Sequence, residues 1–126
     1  MNDKPSVLVV DDDESFRSLV ADRLTRTGHR VAAAAGGEAA LTLLEGIEVA
    51  IVDLLMPGMD GLTLLRKIRQ ADPDISVLML TGHGTIDNAV EAMKVGASDY
   101  LLKPCSLAEV EFRIAQVWEK SRLRKE

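Results

Sequence analysis

The chain has 126 residues, enough for one domain with a buried core, and 47% of them are hydrophobic, which excludes a disordered segment. The formal net charge of −5 argues against nucleic-acid binding by this segment. The single cysteine, Cys105, excludes an internal disulfide, and no apolar stretch is long enough to span a bilayer. We therefore expect a cytoplasmic protein that does not associate with membranes.

Apolar runs alternate with amphipathic segments along the first half of the chain. They predict a strand at about 6–10, a helix at about 14–27 ended by Gly28, a short strand near 30–34 and a helix opened by Gly36-Gly37. Each helix is expected to turn apolar side chains to one face. These are Phe16, Leu19, Val20 and Leu24 in the first helix, and Ala40, Leu43 and Leu44 in the second.

The same alternation continues through the second half. It predicts strands at about 48–52, 75–80 and 99–102, with a turn-rich segment at 56–61 after the first of them and a loop at 81–84 after the second. Ser106 is the expected N-cap of the last helix, with Glu109 completing a capping box. The expected apolar faces are Leu64, Leu65 and Ile68 in the third helix, which ends before Asp72-Pro73; Ile86, Val90 and Met93 in the fourth; and Val110, Ile114 and Val117 in the fifth.

Five strands that alternate with five helices predict an α/β sandwich with a parallel sheet. The strands are almost continuously apolar, as expected when helices cover both faces of the sheet. Ligands of such folds bind beyond the carboxyl ends of the strands.

Carboxylates follow two of the predicted strands. Asp11, Asp12 and Asp13 come directly after the first strand, and Asp53 comes directly after the third. Clustered carboxylates repel one another unless a hard cation or a lysine lies among them. Thr81 and Lys103 also follow strands, so the fold gathers a hydroxyl and an ammonium at the same edge. The sequence therefore predicts ion chemistry, and phosphate chemistry with it.

These residues resemble the motifs of a known family, the receiver domains of bacterial two-component response regulators. The resemblance covers essentially the whole chain, with each motif at a strand end and all of them in order. It implies a flavodoxin-like doubly wound (βα)5 fold with strand order 2-1-3-4-5, a receiver domain at 1–120, and a helix end or linker to an output domain at 121–126. The matching segments are Val10-Asp11-Asp12, Asp53 with Met56-Pro57-Gly58-Met59-Asp60-Gly61, Thr81-Gly82, and Tyr100 with Lys103-Pro104.

The resemblance implies that Asp53 accepts a phosphoryl group from a sensor histidine kinase. Asp12, Asp53 and the backbone carbonyl of Leu55 would hold Mg²⁺, and Asp11 would hold a water bound to the metal. Lys103 would pair with Asp53 and then with the phosphate, and the Lys103–Pro104 bond is cis in the family. The domain would catalyse only its own phosphorylation and dephosphorylation, and so would act in signalling.

Thr81 and Tyr100 match the family's switch pair, which couples the phosphoryl group to the face formed by helix four, strand five and helix five. That face would contact an output domain or a partner, or form a homodimer, and the expected output is transcription regulation. The segments 81–85 and 87–93 are most similar to receivers of sigma-54-dependent regulators. Asp13 lies outside the matched pair and is expected either to cap the first helix or to face solvent.

Two other functions fit part of the pattern. A haloacid-dehalogenase-like phosphatase would use Asp11 as nucleophile and Asp13 as acid/base, but it needs a further acidic pair on a strand after Lys103, and it leaves Asp53 unexplained. A phosphorylation-independent interaction module with the same fold would not need the complete set of site residues.

Overall fold

The sheet has five parallel strands in the order β2-β1-β3-β4-β5, which confirms the predicted fold class. The structure is a computed structural model and describes residues 4–82 and 86–125. In the register of the central strands, Val10 lies opposite Val52, so the residues that follow them emerge side by side. The strands are β1 (Val7–Val10), β2 (Val31–Ala34), β3 (Val49–Val52), β4 (Ser76–Thr81) and β5 (Asp99–Leu102).

Helices cover both faces of the sheet because the strand side chains alternate between two apolar cores. Leu8 and Val10 point to the core beneath the second, third and fourth helices, whereas Val7 and Val9 point to the core beneath the first and fifth. The helices are α1 (Glu14–Arg26), α2 (Gly37–Leu41), α3 (Gly61–Ala71), α4 (Ile86–Val95) and α5 (Leu107–Lys125).

Side-chain caps begin three of the helices. Asp13 accepts from the backbone N–H of Phe16 at 3.3 Å, which confirms its expected role as the cap of α1. Asp60 caps α3 in the same way, and Ser106 Oγ accepts from the N–H of Glu109 at 3.0 Å. The sequence therefore specified where these helices begin.

Several side chains that were predicted to face the core are exposed, either because the helix ends before them or because a neighbouring residue makes the contact with the core. Leu19 is 59% exposed because the buried face of α1 consists of Val20 and Leu24. Val90 and Met93 are about half exposed, since the small Ala92 carries the contact of α4 with the core. Helix α2 ends early, and Leu43 lies beyond it.

The boundary after β4 also differs from the prediction. Thr81 is the last residue of the strand instead of the first residue of a loop. Gly82 of the predicted loop is described, whereas residues 83–85 and the side chain of Ile86 lie outside the described residues. Within the described ranges, none of the helices combines the length and the apolar composition needed to cross a bilayer.

Candidate functional site

Three carboxylates meet at the carboxyl ends of β1 and β3. Asp11, Asp12 and Asp53 each offer an oxygen atom, and these atoms lie within 4.8 Å of one another. Asp11 is 2% exposed and Asp53 is 7% exposed, whereas Asp12 faces solvent. The parallel register produces this meeting, with the N–H of Asp53 donating to the carbonyl of Val10 at 3.0 Å. Three carboxylate ligands at a partly exposed site fit Mg²⁺, because this ion binds a few hard oxygen ligands from the protein and keeps several of its water molecules.

Asp11 is held in place by backbone and side-chain contacts. One carboxylate oxygen, Oδ1, accepts from the N–H of Asp13 at 2.9 Å, and the guanidinium of Arg17 donates to the Asp11 carbonyl at 2.8 Å. The Asp11 N–H donates to the carbonyl of Ala34 at 3.2 Å. These bonds fix the orientation of the acidic loop before any ligand arrives.

Lys103 forms an ion pair with Asp11, with Nζ 2.8 Å from Oδ2. The sequence predicts a pair of this lysine with Asp53, whereas in the structure the ammonium is bonded to Asp11, which is almost fully buried, so that the pair offsets the desolvation cost of this carboxylate. The Lys103 N–H donates to the Thr81 carbonyl at 2.9 Å, and the Lys103–Pro104 peptide bond is cis. The ammonium also lies 4.3 Å from the centre of the Phe16 ring.

The pKa of Asp53 is raised above its ordinary value of 3.8, first by burial and then by the charge of Asp11, with a smaller contribution from Asp12. The charge of Lys103 and a hydrogen bond from the Thr81 hydroxyl act in the opposite direction. Since the raising effects exceed the lowering ones, the cluster is short of positive charge. A bound cation would relieve that shortage.

Thr81 and Tyr100 lie on neighbouring strands beside this cluster. Thr81 is fully buried, and its hydroxyl bonds to Asp53. Burial raises the pKa of the Tyr100 phenol, and the nearby charge of Asp53 adds to the effect. Among the residues that the structure describes, none is a hydrogen-bond partner for the buried Tyr100 hydroxyl. The tyrosine therefore points inward, against the core beneath α4.

The loop that follows Asp53 is closed tightly against α3. The N–H of Gly61 donates to the carbonyl of Leu54 at 2.8 Å. A Cβ atom at Gly61 would lie 2.2 Å from the backbone oxygen of Asp53, so only glycine fits there. Leu55, at the start of this loop, leaves its side chain 50% exposed beside the site.

The sequence did not indicate that Phe16 and Arg17 contact the site. Phe16 was assigned to the core face of α1, and Arg17 had no assigned role. Side chains in the first turn of a helix lean back toward its N-terminus, over the loop that precedes it. Their distance of five and six residues from Asp11 was therefore the signal that could have identified them.

The chain belongs to the response regulator receiver domain family, whose model matches residues 7–115. It is 47% identical to the response regulator protein FleR of Pseudomonas aeruginosa over 100 residues, which is 78% of this chain and 21% of FleR. It is 39% identical over 125 residues to the C4-dicarboxylate transport transcriptional regulatory protein DctD of Rhizobium meliloti, covering 98% of this chain and 27% of DctD.

Among solved structures, NtrX from Brucella abortus matches with a TM-score of 0.91 at 32% identity, over 97% of this chain and 29% of NtrX. The chain thus spans about a fifth to a third of these three relatives. The predicted family is confirmed, and with it a place among two-component signalling proteins whose relatives include transcriptional regulators.

Proposed function

We propose that this domain accepts a phosphoryl group from a sensor histidine kinase onto Asp53 and passes the signal to an output domain or partner. One observation carries the proposal: the buried Asp53 carboxylate, whose pKa is raised, lies beside two further carboxylates, a threonine hydroxyl and the charge of a lysine. Phosphoryl transfer depends on this kind of positioning and charge neutralisation. A division into a receiver at 1–120 and a linker from 121 is part of the proposal.

Asp12, Asp53 and the Leu55 carbonyl would hold Mg²⁺, with Asp11 holding a water bound to it. When bound, the metal supplies positive charge for the phosphoryl oxygens. The Asp53 carboxylate attacks phosphorus, an O–P bond forms, and the P–N bond to the donor imidazole breaks with its electron pair passing to nitrogen. Lys103 then exchanges Asp11 for a phosphoryl oxygen, and the Thr81 hydroxyl turns from the carboxylate to the same group.

The switch would connect Thr81 with Tyr100, because the two side chains lie beside the same carboxylate. A hydrogen bond to a charged acceptor contributes about 1.5–3 kcal/mol, enough to shift a two-state balance by about 10–100-fold. The responding face comprises α4, β5 and α5, where Val90, Leu102 and Phe112 are largely exposed. The similarity to FleR and DctD supports output through an ATPase of the sigma-54-dependent type, and a homodimer on this face is the alternative output.

A phosphatase that uses Asp11 as nucleophile is less well supported. Both oxygens of Asp11 accept hydrogen bonds, from Lys103 and from the N–H of Asp13. Asp13, the acid/base in that mechanism, is occupied as the cap of α1. Asp53 has no role in such an enzyme, although it is the carboxylate whose pKa is raised.

The test is incubation with acetyl phosphate and Mg²⁺, followed by intact-protein mass spectrometry of wild type, Asp53→Asn and Asp74→Asn. We expect one phosphoryl group on the wild type and on Asp74→Asn, and none on Asp53→Asn. Asp74 is an exposed residue just before β4, at the end of the sheet away from the carboxylate cluster. Labelling of Asp53→Asn with unchanged kinetics would refute the proposal. Continuous turnover of a generic phosphate ester would favour the phosphatase.

A further inference from the structure

Lys103 has a second contact that the chemistry at Asp53 does not explain. Its ammonium is bonded to Asp11 on one side and lies 4.3 Å from the centre of the Phe16 ring on the other. The lysine side chain is 21% exposed, so both contacts are made partly out of water. An ammonium within about 6 Å of a ring centre is attracted by the negative face of the ring.

The position of the Phe16 ring is fixed from two directions. The N–H of Phe16 is the one that donates to the capping carboxylate of Asp13, which anchors the backbone at the start of α1. The ring itself packs against the apolar core beneath α1 and α5. The aromatic face is therefore a stationary partner for a side chain that has four rotatable bonds.

Space for movement of the lysine lies beside the ring. A cleft of about 440 Å³ is lined by Phe16, Gly82, Lys103, Pro104 and Cys105. When Lys103 releases Asp11, its ammonium can move either toward Asp53 or out into this cleft. The ring face attracts an ammonium within about 6 Å of its centre, so this contact can persist after the 2.8 Å hydrogen bond to Asp11 is broken.

We propose that Phe16 is a positioning residue for Lys103. Its ring keeps the ammonium at the site while the lysine exchanges Asp11 for the incoming phosphoryl group. The inference rests on the proposed function, because the exchange of partners belongs to phosphorylation of Asp53. Phe16 touches neither the donor nor the reacting atoms, so its effect is exerted through Lys103.

The chain offers a precise test because it has two phenylalanines, Phe16 and Phe112. Phe112 is 60% exposed on α5, so a Phe112→Leu protein retains Phe16 as its single phenylalanine. Incorporation of mono-, di- and trifluorinated phenylalanine into that protein then weakens the ring face stepwise at nearly constant shape. The matched control is the Phe16→Leu protein, in which the same analogues enter at position 112.

We expect the initial rate of Asp53 phosphorylation by acetyl phosphate, at saturating Mg²⁺, to fall stepwise with fluorination of Phe16, by about three- to tenfold in total. The rate in the Phe16→Leu control should be low and independent of fluorination. Phe16→Trp should restore most of the rate that Phe16→Leu loses, because indole offers the strongest cation–π face. If altered packing caused the fall in phosphorylation rate, the rate would instead vary with the volume of the side chain at position 16.

A second measurement reports the contact without activity. In the 4-fluorophenylalanine protein, the ¹⁹F resonance of Phe16 should shift when Lys103→Met removes the ammonium, and a resonance that does not move would overturn the inference. A phosphorylation rate that is flat across the series, with Asp53 still labelled, would overturn it while leaving the proposed function intact. Absence of labelling in the unfluorinated protein would instead refute the proposed function. If a fluorinated protein does not fold, the comparison of Phe16→Leu with Phe16→Trp decides the question.

Discussion

Replacing Asp53 with asparagine should stabilise the domain in the absence of Mg²⁺. The variant removes the negative charge of a buried carboxyl group whose pKa is raised, while the asparagine amide oxygen can still accept the hydrogen bond from the Thr81 hydroxyl. Two carboxylate charges no more than 4.8 Å apart repel by about 3.5 kcal/mol or more at an effective dielectric constant of 20. Lys103 and Thr81 offset part of this cost, which leaves an expected gain of about 1–2 kcal/mol, or about 3–8 °C in melting temperature.

The gain should depend on pH in a defined direction. Because the folded state raises the pKa of Asp53 above 3.8, the folded protein binds this proton more tightly than the unfolded chain does. Wild type therefore loses stability relative to Asp53→Asn as the pH rises from 3.8 through the raised pKa. The difference should be complete at neutral pH and should vanish at more acidic pH.

Chemical denaturation in EDTA at several pH values between 4 and 7.5 measures this difference. Asp74→Asn is the control, since it changes the net charge equally at an exposed position. Addition of Mg²⁺ should stabilise wild type more than Asp53→Asn and so reduce the difference. If Asp53→Asn were no more stable than Asp74→Asn at neutral pH, the charge balance inferred for the cluster would be wrong.

Three further variants test separate parts of the site. Lys103→Met should tighten Mg²⁺ binding by about tenfold or more, measured by calorimetry, because the ammonium beside Asp11 opposes the metal; weaker binding would contradict this. Tyr100→Phe should leave the free energy of unfolding unchanged or raise it by about 0.5–1 kcal/mol, since the buried hydroxyl lacks a hydrogen-bond partner among the described residues. A decrease of more than about 1 kcal/mol would show that the hydroxyl does have a partner. Leu55→Asn should accelerate loss of the phosphoryl group several-fold, because the half-exposed leucine hinders the attacking water and an amide would orient it. An unchanged rate of dephosphorylation, followed by mass spectrometry after removal of the donor, would exclude that role for Leu55.

The sequence predicted the sheet well because its signals are local. Each strand is an apolar run that ends at a polar residue, and the caps at Asp13 and Ser106 are properties of single helical turns. Parallel pairing then brings Asp11 and Asp53 together whatever the connecting segments do. The caps follow from the residue pattern alone, whereas the adjacency of β1 and β3 is what the resemblance to receiver domains implies and the structure confirms.

Features that depend on competition between side chains could not be predicted in this way. The pairing of Lys103 with Asp11 instead of Asp53 depends on side-chain positions that exist only in the folded protein. The exposure of Leu19 likewise depends on which part of the apolar stripe of α1 faces the sheet. The residue pattern shows which side chains could pair or be buried, and the packing of the folded protein decides which of them do.

The close approach of Gly61 to the backbone of Asp53 makes one side of the site mechanically stiff. Because the first residue of α3 leaves no room even for a methyl group, we expect the backbone of Asp53 and the start of α3 to move together. Thr81, by contrast, meets the cluster through a side-chain hydroxyl, which can rotate without a shift of the backbone. A mutational scan should accordingly find position 61 as intolerant of substitution as Asp53 and Lys103, although glycine has no side chain that could take part in the reaction.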